Sequence, residues 1–477
     1  MGLASHERGV KRQLLSRYAN AFHRAPWLSL AVHDMNFPYE RTAIIKDGNV
    51  AVMSITQMPH LTHFDSYVEQ LVSTCKTLMR SAKYVIFCID DPASVPGAKV
   101  ETQENRDTRR KEVNMPFTDD DYMLEDLLAV EKCGPIVQER TTRYRMFDEL
   151  MRRVVSIIDA EIAMSYEEDS DYATSVPQGA SLIVDGVDPR GANRPIGLVR
   201  MPSVIGTHPQ LVRELKARRL RFELGEADLK MIDVERMLRA LRNQNDSVLT
   251  IDAVLHDTID TDALPIGILD HARRSVESVD KPADLPYSYV LFRERGKVAI
   301  EALGNSEKKR KRQEPLARKI QQSSCAGILL VDMSTLYRML MCTFLGREWW
   351  TVPPKDRSIN TQLMIGGWIM GGCDFCQKKA NADVLFEASR GMSSRRSSNI
   401  PTTECVNPNV AREWCRSLHK MLQASGEHES RVTLKRRDEL ESIEHRQLAC
   451  VAWTINYWFN EQFEHDDIND WLDQFDE

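Results

Sequence analysis

The stretch YVIFCIDD, residues 84–91, is an unbroken apolar, β-prone run that ends in two acids. It is too short for a helix and shows no polar alternation, which is how a strand buried on both faces reads. The pattern recurs at 27–34 (WLSLAVHD), 247–252 (SVLTID), 181–185 (SLIVD) and 327–332 (GILLVD), and without the acid at 287–292 (YSYVLF). Helical periodicity runs through 66–80, 143–162, 227–241 and 334–345, and in the third Met231, Val234, Leu238 and Leu241 form one stripe. Short buried strands alternating with helices predict an α/β fold with a mostly parallel central sheet flanked by helices.

The 477 residues are 42% hydrophobic and 28% charged, ample for a buried core. No stretch reaches the roughly eighteen apolar residues of a membrane span, and the N-terminal residues lack an apolar signal core. Gly2 is followed by His6, where a myristoylation signal has Ser or Thr. The ten cysteines have no framework spacing, so reduced thiols and an intracellular location are expected, with no membrane partner. Net charge is −7, but residues 461–477 hold eight acids and no Lys or Arg, leaving the remainder at +1. Residues 308–319 pack seven bases against Glu314 alone.

The acids are the informative chemistry. Asp34 and Asp90 each close an apolar run, which places them on the rim where ligands gather in parallel sheets. Asp260 and Asp262, in TIDTDAL (258–264), are two apart on an expected extended segment and so share a side. Glu226 and Asp228, in GEADLK (225–230), open the third helix, and Asp374, in GGCDF (371–375), follows an uncharged segment. Seven gathered carboxylates repel one another unless cations sit among them, and oxygen ligands suit Mg²⁺, with Mn²⁺ able to substitute. Two such ions about 3.5–4 Å apart can activate water for phosphodiester hydrolysis. Taken singly, each acid could equally end a strand or cap a helix.

With these motifs the chain resembles the flap endonuclease/XPG-type 5′ nucleases, whose catalytic core is PIN-like. GEADLK resembles that family's Glu-x-Glu/Asp helix start, TIDTDAL its Thr-x-Asp-x-Asp-x-Leu, and GGCDF its Gly-Ser/Cys-Asp-Tyr/Phe. AVHDMN (31–36) and FCIDDP (87–92) are similar to its first and second strand acids. The resemblance implies two Mg²⁺ ions held by Asp34, Asp90, Glu226, Asp228, Asp260, Asp262 and Asp374. It further implies Lys99 and Arg106, seven residues apart, on the scissile phosphate, with Arg109 and Arg110 positioning the strand. A solvated basic helix face is the plain alternative for those four cations.

The chain departs from the family after Asp374, where FCQKKANADV (375–384) lacks the glycine turns that grip duplex DNA; Lys378 and Lys379 could contact phosphate instead. The expected organisation is a nuclease core from 1–116, 220–270 and 327–390, an arch-like insertion at 117–219, a basic insertion at 271–326, and a helical C-terminal region at 404–477. A zinc reading of Cys373, Cys376, Cys405 and Cys415 meets poor spacing, and His60, His63 and Asp65 more simply serve structure. KKRKR (308–312) reads as a nuclear-import signal, a phosphate patch or a solubilising loop, which favours a nuclear location and leaves a cytoplasmic one open. Trp453, Tyr457, Trp458 and Phe459, ahead of the acidic tail, suit packing on the chain's own body or docking on a protein partner.

The expectation is thus a Mg²⁺-dependent nuclease, with 5′-flap or 5′-end DNA, as in DNA repair, the substrate the resemblance favours. The alternatives are an endoribonuclease of the virion-host-shutoff type and an inactive nuclease-like scaffold that binds nucleic acid or protein.

Overall fold

The computed structural model describes residues 10–25, 28–56, 61, 64–90, 140–164, 180–186, 197–198, 226–242, 251–277, 287–293, 328–369, 373, 451, 453–455 and 457–458. In chain order the elements are α1 (Val10–Arg17), β1 (Phe22–Ala25), α2 (Leu28–Asp34), β2 (Thr42–Asp47), α3 (Gly48–Thr56), α4 (Phe64–Ser81) and β3 (Tyr84–Cys88). There follow α5 (Arg140–Met164), β4 (Ser181–Gly186), β5 (Gly197–Leu198), α6 (Ala227–Arg242), β6 (Ala253–Thr258), α7 (Ala263–Glu277), β7 (Tyr287–Arg293), β8 (Ile328–Asp332), α8 (Met333–Leu345) and α9 (Pro354–Ile369).

The strands lie in the order β1-β8-β7-β6-β2-β3-β4-β5. The five central ones, β7 to β4, are mutually parallel; β8 and β1 continue antiparallel at one side, and the short β5 pairs antiparallel with β4 at the other. Strand alternation then divides the core. Val85 and Phe87 of β3 face a layer built from α2, α3, α4 and α5, while Tyr84, Ile86 and Cys88 face α6. On that second side α1, α7, α8 and α9 complete the layer. The result is an α/β fold with a mostly parallel sheet between two helical layers. Among the described residues no helix is long and apolar enough to cross a membrane.

Chain order sets the functional geometry. From β2 the chain winds through α3 and α4 to β3, and α5 then leads to β4, all on one face. From β6 it winds through α7 to β7 on the other face. The winding reverses between β2 and β6, and the carboxyl ends of parallel strands at such a switch point are where ligands gather. Elements from stretches expected to be insertions belong to these layers: α5 and β4 come from 117–219, and β7 comes from 271–326.

Two expected strands are corrected. Residues 28–34 form a helix, because Leu28, Ala31 and Val32, which are buried, recur at helical rather than alternating spacing. Asn36, at φ 53, ends it: the Phe37 N–H donates to the Val32 carbonyl at 3.1 Å and the Asn36 N–H to that of His33 at 2.9 Å. Of the strand expected at 247–252, the described residues Ile251 and Asp252 precede the strand Ala253–Thr258, and Asp252 pairs with Arg41 at 2.7 Å.

The central strand β2, TAIIKD, is buried along its whole length. Lys46 survives there because its ammonium meets Asp257 of β6, its register partner, at 2.9 Å, with the two side chains 2% and 0% exposed. Removing one member strands a buried charge, whereas replacing both removes the desolvation penalty as well. Lys46→Met alone is expected to cost about 3–5 kcal/mol in urea unfolding. Lys46→Met/Asp257→Leu is expected to recover to within about 1 kcal/mol of wild type, or above it.

Candidate metal centre at the sheet switch point

Asp47 closes β2 at the switch point. Its Oδ1 accepts the Val50 N–H at 3.0 Å, so the side chain also caps α3. The chain turns immediately after it at Gly48, where a Cβ would stand 2.7 Å from the Ile89 side chain and 3.1 Å from the Cys88 carbonyl. Only glycine lets β2 and β3 deliver their ends this close together. On the β3 side Asp90 accepts the Ala227 N–H at 2.7 Å, and the buried Lys230 donates to the Ile89 carbonyl. These two bonds fix the N-terminus of α6 to the rim, and with it Glu226 and Asp228.

At the end of β6 the chain bends instead of continuing extended. The Asp260 N–H donates to Thr258 Oγ at 3.1 Å, and Asp260 Oδ1 accepts the Asp262 N–H at 3.1 Å, leading into α7. The expected extended arrangement of this pair is thereby corrected to a side-chain-capped turn. Asp262 is buried and Asp260 half-buried. Three helix N-termini, those of α3, α6 and α7, thus converge on the carboxylates and offset part of their repulsion.

The electrostatics tie these groups into one cluster. Burial, then the charges of Asp90 and Asp260, push the Asp47 carboxyl up to about 7, against the lowering effect of the Val50 N–H and Lys46. Burial, then Asp260, Asp47, Asp262 and Glu226, hold Asp228 well above the usual carboxylate range. Asp228 Oδ1 is buried and has no hydrogen-bond partner among the described residues.

A second group of buried acids shows the opposite behaviour. Glu235 lies 2.9 Å from Arg239 and 2.6 Å from His256, and Asp270 accepts from Arg236 and Arg239, each at 2.8 Å, and lies 3.0 Å from Arg274. Burial alone would raise Glu235, but Arg239, Arg274 and His256 outweigh it and hold the carboxyl at about 2. Asp270 is likewise lowered by Arg239, Arg274 and Arg236 despite its burial. This is a structural ion network joining α6 to α7. At the rim, burial and neighbouring acids prevail instead: Asp47 and Asp228 are raised, although the charge of Lys46 lowers Asp47.

Of the sequence-derived candidates, the structure brings Asp90, Glu226, Asp228, Asp260 and Asp262 together. It does not bring Asp34, which ends α2, is exposed, and has His33 for its neighbour at 3.6 Å. Asp47 holds the strand-end position instead. Its signal in the sequence is an apolar run closed by Asp and Gly, in AIIKDG (43–48), interrupted by Lys46. Asp332, another strand-end acid, terminates an antiparallel strand and caps α8 through the Thr335 N–H at 2.9 Å.

Asp374, Lys99, Arg106, Arg109, Arg110, Lys378 and Lys379 lie outside the described residues, as do His60, His63, the basic run at 308–312, and Cys376, Cys405 and Cys415. Asp65 is exposed and faces Arg153 at 3.3 Å, and Cys373 is half-buried against the core. Trp453, Tyr457 and Trp458 are buried in the core of the second helical layer, which is packing on the chain's own body.

Among the described residues no three His, Cys, Asp or Glu side chains are already grouped as ligands around one metal position. The donor chemistry nonetheless fits a hard divalent cation: oxygen ligands only, with one buried carboxylate oxygen unsatisfied. No family model and no curated protein matches the chain.

The raised Asp47 carboxyl makes metal-free stability pH-dependent with a defined sign. Its folded pKa of about 7 exceeds the unfolded carboxylate value, so the folded state keeps a proton that the unfolded state has lost. The stability this gives is full below about pH 4 and is lost as pH rises through about 7. Asp47→Asn, which cannot ionise, is expected to match wild type near pH 4 in EDTA and to exceed it at pH 8 by a few kcal/mol. Urea unfolding at the two pH values measures the difference.

Proposed function

We propose that the protein is a Mg²⁺-dependent nuclease that hydrolyses phosphodiester bonds at the switch point between β2 and β6. The observation that carries this reading is the contrast between two sets of buried carboxylates in one fold. Glu235 and Asp270 are matched by arginines and lowered, while Asp47 and Asp228 lie among other acids and are raised. Buried carboxyls that raise one another at a switch point are the arrangement expected where a cation is supplied from outside.

In this reading Asp47, Asp90, Glu226, Asp228, Asp260 and Asp262 hold the metal, with Asp374 joining them by resemblance. Bound Mg²⁺ would supply an acidified water and charge neutralisation at the phosphodiester. The chain's own work is positioning. Asp47 and Asp90 are fixed by the backbone N–H groups they accept, so their remaining lone pairs are directed with little freedom. Asp260 is oriented by the Asp262 N–H. The exposed Ile259 beside it gives the site an apolar contact for sugar or base. Lys99, Arg106, Arg109 and Arg110 would meet phosphate, and DNA with a 5′ end or flap is the substrate favoured by resemblance.

Cleavage of labelled flap DNA, single-stranded DNA and structured RNA tests this. Wild type with Mg²⁺ is expected to cut at least one of them and to fall silent in EDTA. Asp47→Asn and Asp260→Ala/Asp262→Ala are each expected to lose more than the roughly 10–100-fold that changes outside the ligand shell cost. Asp34→Ala is expected to retain wild-type activity. Preference for RNA over flap DNA would establish the endoribonuclease reading. Binding of nucleic acid without cleavage, in Mg²⁺ and in Mn²⁺, would refute the nuclease reading and leave a scaffold.

A further inference from the structure

The buried ion network between α6 and α7 has a geometry that holding two helices together does not require. Asp228, Glu235 and Arg239 recur on α6 at i, i+7 and i+11, so one face of the helix runs from a rim acid in its first turn to the network in its last. Glu235 is the junction. Its carboxylate meets Arg239 at 2.9 Å and His256 of β6 at 2.6 Å, and the Ser288 hydroxyl of β7 donates to it at 3.1 Å. Arg239 also donates to Asp270 of α7 at 2.8 Å, where Arg236 and Arg274 converge at 2.8 and 3.0 Å.

α6 is thereby registered against β6, β7 and α7 at once. Asp260 and Asp262 lie on the turn between β6 and α7, while α6 follows Glu226 and carries Asp228. The first turns of the two helices also share one apolar cluster, through Leu229 and Ile232 on α6 and Ala263, Leu264 and Ile266 on α7. Burying charges is costly, and apolar side chains of similar volume often hold helices together as well or better. What apolar faces lack is a single alignment. They can slip along one another, whereas charged donors and acceptors match in one register.

Resting on the metal-centre reading above, we propose that Glu235, Arg236, Arg239 and Asp270 are positioning residues of the acid site. They fix the register of α6 against β6 and α7, and so set the spacing between the Glu226/Asp228 and Asp260/Asp262 pairs that hold the cation.

Replacing the network with apolar side chains, in Glu235→Leu/Arg239→Met/Asp270→Leu/Arg274→Met, separates alignment from firmness. The urea unfolding midpoint is expected to stay at or above that of wild type. Mn²⁺ binding to the full chain, followed by electron paramagnetic resonance, is expected to weaken about tenfold. Arg236→Gln takes a single, partly exposed donor from Asp270 and is expected to weaken Mn²⁺ binding about threefold. Where the combined replacement does not fold, Arg236→Gln decides alone. Leu71→Ala, a core truncation in the opposite helical layer, is expected to lower the unfolding midpoint and leave Mn²⁺ affinity at the wild-type value. Unchanged Mn²⁺ affinity in the network variants, or an equal loss in Leu71→Ala, would overturn the proposal while leaving the metal centre intact. Wild type that binds no Mn²⁺ would instead overturn the metal centre, and this inference with it.

Discussion

Mutual repulsion among carboxylates at the point where the sheet reverses its winding is the constraint around which the rest of the protein is arranged. Folding gathers Asp47, Asp90, Asp228, Asp260 and Asp262 at one rim and leaves Asp47 and Asp228 in surroundings that oppose their ionisation. Such a cluster persists only if the scaffold is rigid enough to impose it. Here the cost is offset by helix N-termini, by backbone N–H groups donated to Asp47 and Asp90, and by apolar packing on both faces of the sheet.

Helix α6 bears most of that load. Its first turn presents Asp228, and one face, Ala227, Met231, Val234 and Leu238, packs on the central strands. Another side carries Glu235 and Arg239 into the ion network with Asp270 and Arg274. The network fixes α6 to α7, and α7 begins directly after Asp262. Two acidic motifs far apart in sequence are thereby held by one buried set of charges.

Much of the fold was legible in the sequence because burial on both faces leaves an unbroken apolar run, as in YVIFC and ILLVD, and because α6 keeps a clean apolar stripe. The reading failed where a local pattern had two solutions. In LSLAVHD the apolar run by itself fits a short helix as well as a strand, and the burial of Leu28, Ala31 and Val32, ended by the left-handed Asn36, makes it a helix. The central strand β2 was overlooked because Lys46 breaks its apolar run, and only the cross-strand Asp257 makes that lysine tolerable. That single omission displaced the first acid of the site from Asp47 to Asp34. The helix start in GEADLK was legible because it is a local feature, whereas the turn in TIDTDAL was not, since two acids two apart suit an extended segment as well as a capped turn. Which surface Trp453, Tyr457 and Trp458 cover was not legible either, since no periodicity reports the core a distant segment packs on.

In the metal-centre proposal the raised Asp47 and Asp228 carboxyls retain protons that a divalent cation displaces. Calorimetric titration of Mg²⁺ at pH 6.5 in two buffers of different ionisation enthalpy counts the protons released on binding. Wild type is expected to bind with net proton release, and Asp47→Asn with less. Binding without proton release, or no binding at all, would contradict it.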